Sequence, residues 1–324
     1  MRAAKFHGQG RITIEEVDEP HPAQGETLVR VAACALCGSD FRPWRQGWPV
    51  TPGHEIVGRI ERPGHQLHGE RVIVYIPVFC GTCEACRAGR THLCDRGTGV
   101  RQLIGWQRPG GYAEKLTAPE RCLLPVPDDI PDRLAPLLLD TIGTTAHGVR
   151  LARRIVTSGK TLVLGAGPIG LGAIIVLGRM GFGPIEVVEP SDYRARFAES
   201  LGAKRTTPEA AGIGRYSMVI EATGKDPARQ LALEAVAVEG AIVQLGESDA
   251  WSISETRSIR LKDFFLIRSF YFPIGDYADN VDLLRADRDK YERLVDAQAD
   301  LDGLSDLFNS FARGERLKPQ LALS

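Results

Sequence analysis

The stretch Thr161-Leu-Val-Leu-Gly-Ala-Gly-Pro-Ile-Gly170 decides the fold. Thr161–Gly165 reads as a strand, and Ile169–Arg179 beyond it reads as a helix. The glycines between them stand in a GxGxxG spacing. Gly165 allows the tight turn, Gly167 lets a pyrophosphate approach the backbone, and Gly170 lets the helix pack on the strand. Pro168 and Ile169 open the helix, whose N-terminal N–H groups and partial positive charge suit a phosphate. The spacing alone is weak, because glycines are common in loops. The strand before it, the helix after it and an acid about 20 residues on strengthen it. That acid is Glu189, at the end of the strand-like Ile185–Val188.

Outward from this turn, strand-like and helix-like segments alternate. Tyr193–Leu201 reads as a helix, Met218–Glu221 as a strand, Pro227–Val236 as a helix and Ala241–Leu245 as a strand. Such βαβαβ order predicts a parallel sheet covered by helices. Upstream the pattern differs. Thr27–Ala33, Glu55–Ile60 and Arg71–Ile76 are short β-branched runs punctuated by Gly and Pro, with little helical pattern between them. They predict a compact β-rich domain. Leu134–Ala152 reads as helical, as do Tyr277–Leu284 and Leu304–Arg313, and Pro319–Leu323 reads as a last strand. The chain of 324 residues suits about two domains. The expected fold class is α/β: a β-rich domain over 1–143 and 270–324, and a doubly wound parallel-sheet domain over 144–269.

A carboxylate at Glu189 can accept hydrogen bonds from both ribose hydroxyls and repels a 2′-phosphate, which favours NAD over NADP. The alternative is a solvent-exposed acid at a strand end. Arg194 can flank the ribose or receive a phosphate.

The charge balance, 40 basic against 41 acidic side chains, gives no broad pull on nucleic acid or anionic lipid. The longest apolar stretch is interrupted by glycines and Pro168, so no transmembrane helix is expected. The opening MRAAKFHGQG lacks the apolar region of a signal peptide. A cytoplasmic protein with no nucleic-acid or membrane partner is the expectation.

Four of the seven cysteines, Cys80, Cys83, Cys86 and Cys94, fall in one short loop. Four thiolates would close a tetrahedral zinc site that stabilises the 80–94 lobe without taking part in chemistry. Iron–sulfur ligation and small disulfide loops are the rivals. A second constellation is Cys37-Gly-Ser-Asp40 with Gly53-His-Glu55 and Asp140. Taken singly, each is ordinary: a lone Cys is usually a buried apolar residue, and a lone His a satisfied polar group.

With these motifs, Gly69-Glu-Arg-Val, Gly110-Gly-Tyr-Ala-Glu and Glu221-Ala-Thr-Gly224 complete a pattern. Over essentially its whole length the sequence resembles the zinc-dependent medium-chain dehydrogenase/reductases, the alcohol and polyol dehydrogenase group. The resemblance implies a GroES-like catalytic domain interrupted by a Rossmann domain, with the active site in the cleft between them. It implies Cys37, His54 and Asp140 as catalytic zinc ligands, Asp140 lying seven residues before His147. It gives Glu55 as an acid near the metal, Asp40 as the partner that orients the ligand His, and Ser39 as a proton-relay hydroxyl. Two zinc ions per chain and NAD are the implied cofactors. The implied reaction is hydride transfer between NAD(H) and a small alcohol or carbonyl substrate. The substrate is a secondary alcohol, polyol, sugar or sugar phosphate.

Relatives often carry His five residues after the ligand Cys, where this chain has Arg42. The Asp40–Gly53 loop also looks shorter than usual and holds Arg42, Trp44, Arg45 and Trp48. These residues, with Trp106 and Arg101, are candidate lining of a pocket for an anionic or polyhydroxylated substrate; the alternative is a surface turn with two core aromatics. Three other functions compete: a zinc-free reductase of the same fold, a nucleotide-binding redox sensor that lost turnover, and a zinc-ribbon nucleic-acid binder. Relatives pair as dimers or tetramers, so a homo-oligomer is expected, with Lys262–Pro273 as a candidate contact or a buried strand and hinge.

Overall fold

The computed structural model describes every residue except His65, Thr98, Asp249, Ser254, Glu255 and Ser324. The chain divides into two compact units. The first holds 1–139, 273–275 and 291–324; the second holds 140–272 and 276–290.

The first unit is built on an antiparallel sheet. The long strand Glu26–Ala35 lies at its centre and pairs with Glu55–Ile60, Lys115–Pro119 and the C-terminal Gln320–Ala322. Glu55–Ile60 then pairs with Arg71–Val74, and that strand with Leu123–Pro125. Val29, Ile56, Val57 and Ile73 have no exposed surface, which explains the β-branched runs as core-facing strands. Register fixes what stands beside what: Ala35 lies opposite both Glu55 and Gln320. A hairpin, Arg2–Gly8 with Arg11–Glu16, precedes this sheet.

The second unit is a parallel sheet of described strands in the order Lys204–Arg205, Ile185–Val188, Thr161–Leu164, Tyr216–Glu221, Val236–Gln244 and Phe265–Arg268. The chain leaves the central strand in both directions, the doubly wound arrangement. Leu162, Val163 and Leu164 are buried, as a strand covered by helices on both faces requires. On one face Leu162, Leu164, Val219 and Ile242 pack with Ala232 and Leu233 of the helix Asp226–Ala235.

The segment read as one helix, Leu134–Ala152, is three pieces. A 3₁₀ turn covers Ala135–Leu138, a π-helical turn Asp140–Thr144 and an α-helix Thr145–Ala152. Packing explains the π turn. A Cβ on Gly172, in the helix Pro168–Arg179, would stand 2.2 Å from the Thr141 carbonyl oxygen, and one on Gly143 would stand 2.4 Å from the Phe272 ring. Two glycines thus let helix and ring press on the turn, and its local widening is the kind often found at functional sites.

Candidate functional site

In the second unit the Gly-rich turn takes the geometry that its spacing predicts. Gly165 has φ +91°, a left-handed conformation that favours glycine. A Cβ on Gly170 would meet the Gly165 carbonyl oxygen at 1.9 Å, so helix and strand approach only because that side chain is absent. Gly167 caps the helix Pro168–Arg179, and Pro168 is its first residue, where no N–H is needed. No other atom stands within 4 Å of a Cβ placed on Gly167, which leaves open space beside the backbone there. Ile169 follows in the first turn of the same helix.

Glu189 is brought to this turn. Its Oε2 accepts the Ala166 N–H at 2.7 Å and its Oε1 the Ser191 N–H at 2.8 Å. One acid therefore ties the end of the second strand to the glycine turn, and each oxygen keeps acceptor capacity. Arg194 lies on the helix Asp192–Ser200, its backbone N–H directed to Ser191 Oγ. Arg205, which sequence reading left unremarked, pairs with Asp192 at 2.6 Å.

In the first unit two ligand-bearing segments end side by side. Cys37 follows the central strand, and His54 precedes Glu55–Ile60. His54 is placed by Gly53, whose φ is +99° and whose Cβ would crowd the Tyr112 backbone nitrogen at 2.8 Å. Asp40 then organises the pair. Its Oδ2 accepts the Cys37 N–H at 2.9 Å and the Tyr112 hydroxyl at 2.7 Å, while Oδ1 stands 3.1 Å from His54 Nδ1. Burial, and then the Asp40 charge, pushes the Tyr112 phenol well above its ordinary range, so it remains a donor. With Nδ1 turned to Asp40, Nε2 is the nitrogen left for a cation, and Ser39 Oγ lies 3.3 Å from it.

Cys37, His54, Glu55 and Asp140 each direct one ligand atom into a common space, all within 4.8 Å of one another. Asp140 follows Leu139 directly, and Thr144 Oγ1 donates to its Oδ1 at 2.8 Å. A thiol, an imidazole and carboxylates suit zinc. Glu55 also meets a residue that the sequence reading passed over. The ammonium of Lys318, fully buried, donates to Glu55 Oε1 and to the Leu36 carbonyl at 3.0 Å. Only its place beside an apolar terminal strand hinted at that burial.

The aromatic residues separate. Trp106 lies against the His54 ring, centroids 5.6 Å apart, and Trp48 meets Trp106 edge-on at 5.5 Å while its Nε1 donates to the Trp106 carbonyl. Trp44 instead packs with Phe41 and stacks on Phe308, so this ring serves an aromatic core. Arg42 is half-buried on the short helix Phe41–Gln46, whereas Arg45 and Arg101 are exposed.

The four-cysteine lobe is a separate group. The Sγ separations are 3.7 Å for Cys80–Cys94, 3.8 Å for Cys83–Cys94 and 3.9 Å for Cys80–Cys86. A tetrahedral ion with bonds of about 2.3 Å requires edges of about 3.8 Å, whereas a disulfide requires about 2.05 Å. The spacing therefore fits one ion and no disulfide. Hydrogen bonds from the Thr82 hydroxyl, then from the Thr82 and Cys83 N–H groups, lower the Cys80 thiol to about 5; burial raises Cys86 to about 12.

Comparison with known proteins agrees with both units. The family described as "Alcohol dehydrogenase GroES-like domain" matches residues 23–128, and "Glucose dehydrogenase C-terminus" matches 143–316. L-threonine 3-dehydrogenase of Anaeromyxobacter dehalogenans is 34% identical over 278 residues, 76% of this chain and 79% of that protein. Alcohol dehydrogenase TADH from Thermus sp. ATN1 has a TM-score of 0.88 at 27% identity, covering 100% of both chains. Galactitol-1-phosphate dehydrogenase from Escherichia coli shares the fold, with a TM-score of 0.85 at 22% identity over 100% of both chains. No described helix is long and apolar enough to cross a membrane. The chain thus belongs to the zinc-dependent medium-chain dehydrogenase/reductase family, in its alcohol and polyol dehydrogenase group, and is an oxidoreductase.

Proposed function

We propose that this protein transfers hydride between NAD(H) and the secondary hydroxyl of a small alcohol, polyol, sugar or sugar phosphate. The convergence of Cys37, His54, Glu55 and Asp140 within 4.8 Å carries the reading. Metal and substrate chemistry is assigned to 1–143 and 270–324, and cofactor binding to 144–269. Cys37, His54 and Asp140 would hold the catalytic zinc, and Cys80, Cys83, Cys86 and Cys94 a second, structural one. Zinc in the first site would supply Lewis acidity, and nicotinamide the hydride acceptor.

The protein's own groups do the rest. Asp40 fixes the His54 ring, and Ser39 Oγ is the hydroxyl placed to take a proton beside it. Arg42 stands where relatives often have His, and a guanidinium has donors but no acceptor to take up a proton, so the proton leaves Ser39 by another route. Trp48 and Trp106 wall the His54 side of the substrate space. L-Threonine, named in the 34% identical relative, carries a secondary hydroxyl at C3. A homo-oligomer is consistent with the edge strand Phe265–Arg268, where Phe265 and Leu266 are exposed.

The test is turnover of zinc-replete protein. Reduced nicotinamide is followed by absorbance against secondary alcohols, β-hydroxy amino acids, polyols, sugars and sugar phosphates, with NAD and NADP in parallel. Turnover of one class with NAD supports the reading; a metal-replete protein that turns over none of them overturns it.

Glu189 makes a sharper prediction. Charge-assisted hydrogen bonds to a ribose are worth about 1.5–3 kcal/mol. Glu189→Ala is expected to raise KM for NAD by roughly 10- to 100-fold with a smaller change in kcat, and to narrow the preference over NADP. Steady-state kinetics with both cofactors check this. An unchanged NAD KM would remove Glu189 from the ribose site.

A further inference from the structure

The metal group holds one donor too many. Four protein donors close a zinc site, whereas a catalytic site keeps one position open. Cys37, His54, Asp140 and Glu55 are four. The structure also contains a means of withdrawing one of them. Lys318 and Glu55 are an ion pair with both side chains at 0% exposure. The Lys318 ammonium also donates to the Leu36 carbonyl, one residue before Cys37. Glu55 itself follows His54. A single cation therefore bridges the two chain segments that carry Cys37 and His54.

We propose that Lys318 is a positioning residue that holds Glu55 in reserve, so that the catalytic metal keeps an open position for substrate. This rests on the metal reading given above for Cys37, His54 and Asp140. Around the group stand the Cys37 thiol and the carboxylates of Asp40, Glu55 and Asp140. A zinc ion held by three protein donors has one position left, and a Glu55 oxygen within 4.8 Å of the other ligand atoms is in reach of it. Lys318 competes for Glu55 through its ion pair, in a site where water does not screen the attraction.

The placement is built, not incidental. Asp296 accepts the backbone N–H groups of Leu317 at 2.8 Å and Lys318 at 3.2 Å. Gln320, two residues on, pairs with Ala35, and Ala35 pairs with Glu55. The C-terminal strand thus delivers the ammonium to this carboxylate. Burying a lysine without its partner is costly, and the pairing offsets that cost.

The test uses the full chain with cobalt in place of zinc. Its visible absorption bands report the ligands, and the difference from a Cys37→Ser variant isolates this site from the lobe. Azide, a small anion, probes the open position. In the unmodified protein azide is expected to shift the bands. In Lys318→Met the bands are expected to change before azide is added, and the apparent azide Kd to rise at least tenfold, as Glu55 takes the position. Chelator-driven metal release should slow by a similar factor. The double variant Lys318→Met/Glu55→Gln is expected to regain the original bands and azide response.

A folded Lys318→Met protein that titrates like the unmodified one overturns the proposal. So does a double variant that fails to recover, because Lys318 then acts only on the fold. If Lys318→Met does not fold, Glu55→Gln decides: unchanged bands support a carboxylate held off the metal, and altered bands show Glu55 already bound to it. If cobalt gives no Cys37-dependent bands at all, the metal reading itself fails.

Discussion

Cys37→Ser is expected to remove one metal ion per chain and to lower kcat/KM by about 10³-fold or more, while the fold persists. The magnitude follows from what the site supplies. Lewis-acid stabilisation at a reacting oxygen is worth several kcal/mol, and about 1.4 kcal/mol corresponds to a factor of ten. Serine replaces a soft anionic donor with a neutral hydroxyl, which zinc binds poorly. The two donors left behind, His54 and Asp140, are then short of one charge. The fold is expected to survive because Cys37 lies beyond the end of the central strand, and the neighbouring core, including Cys34, Ala35 and Leu36, stays packed. Metal analysis, circular dichroism and steady-state kinetics check the three parts separately. A variant that keeps both its metal content and its turnover would move the catalytic metal away from Cys37.

Much of this arrangement is legible in the sequence, and the remainder depends on contacts between distant residues. The Gly-rich turn is local: strand, glycines and helix are consecutive, and the structure places the strand at Thr161–Leu164 and the helix at Pro168–Arg179. The four-cysteine lobe is local too: its spacing favours metal, and the Sγ separations then fit one ion and no disulfide. Leu134–Ala152 is different. Its apolar pattern is helical, yet Gly172 and Phe272, far along the chain, press on the Asp140–Thr144 turn and widen it. Trp44 and Trp48 lie four residues apart in the same loop, and no pattern separates them. Phe308 draws the first into an aromatic cluster, and the Trp106 carbonyl holds the second near His54. The short strand Lys204–Arg205 is exposed and charged, so it carries no apolar signal; only pairing with Ile185–Val188 defines it. Lys318 is the furthest from legible. A lysine near a terminus reads as solvated until the last strand is paired with the first unit's sheet.

The second large effect is expected in the lobe. Cys83→Ser should release one metal ion per chain and raise the cleavage rate at Arg87 and Arg90 by trypsin about 100-fold or more. The reason lies in burial. From Gly81 to Arg90 no residue is buried, and the helical turn Glu84–Arg87 has no buried side chain. Hydrophobic packing therefore cannot hold this segment in place. What remains is a set of turns around four thiols whose separations match one tetrahedral ion. In zinc-finger peptides such binding supplies about 10–16 kcal/mol of apparent folding energy. Here it is spent on about fifteen residues, so the loss is local: the segment opens while both sheets stay folded. The buried residues at its C-terminal end limit the opening. Thr91 Oγ1 accepts the Ile274 N–H at 2.9 Å and meets the Tyr75 hydroxyl at 3.0 Å, which anchors that end to the first unit. Limited proteolysis with mass analysis locates the cuts, and metal analysis counts the ion. A lobe as protected in Cys83→Ser as in the unmodified protein would mean that its own turns, not a cation, maintain it.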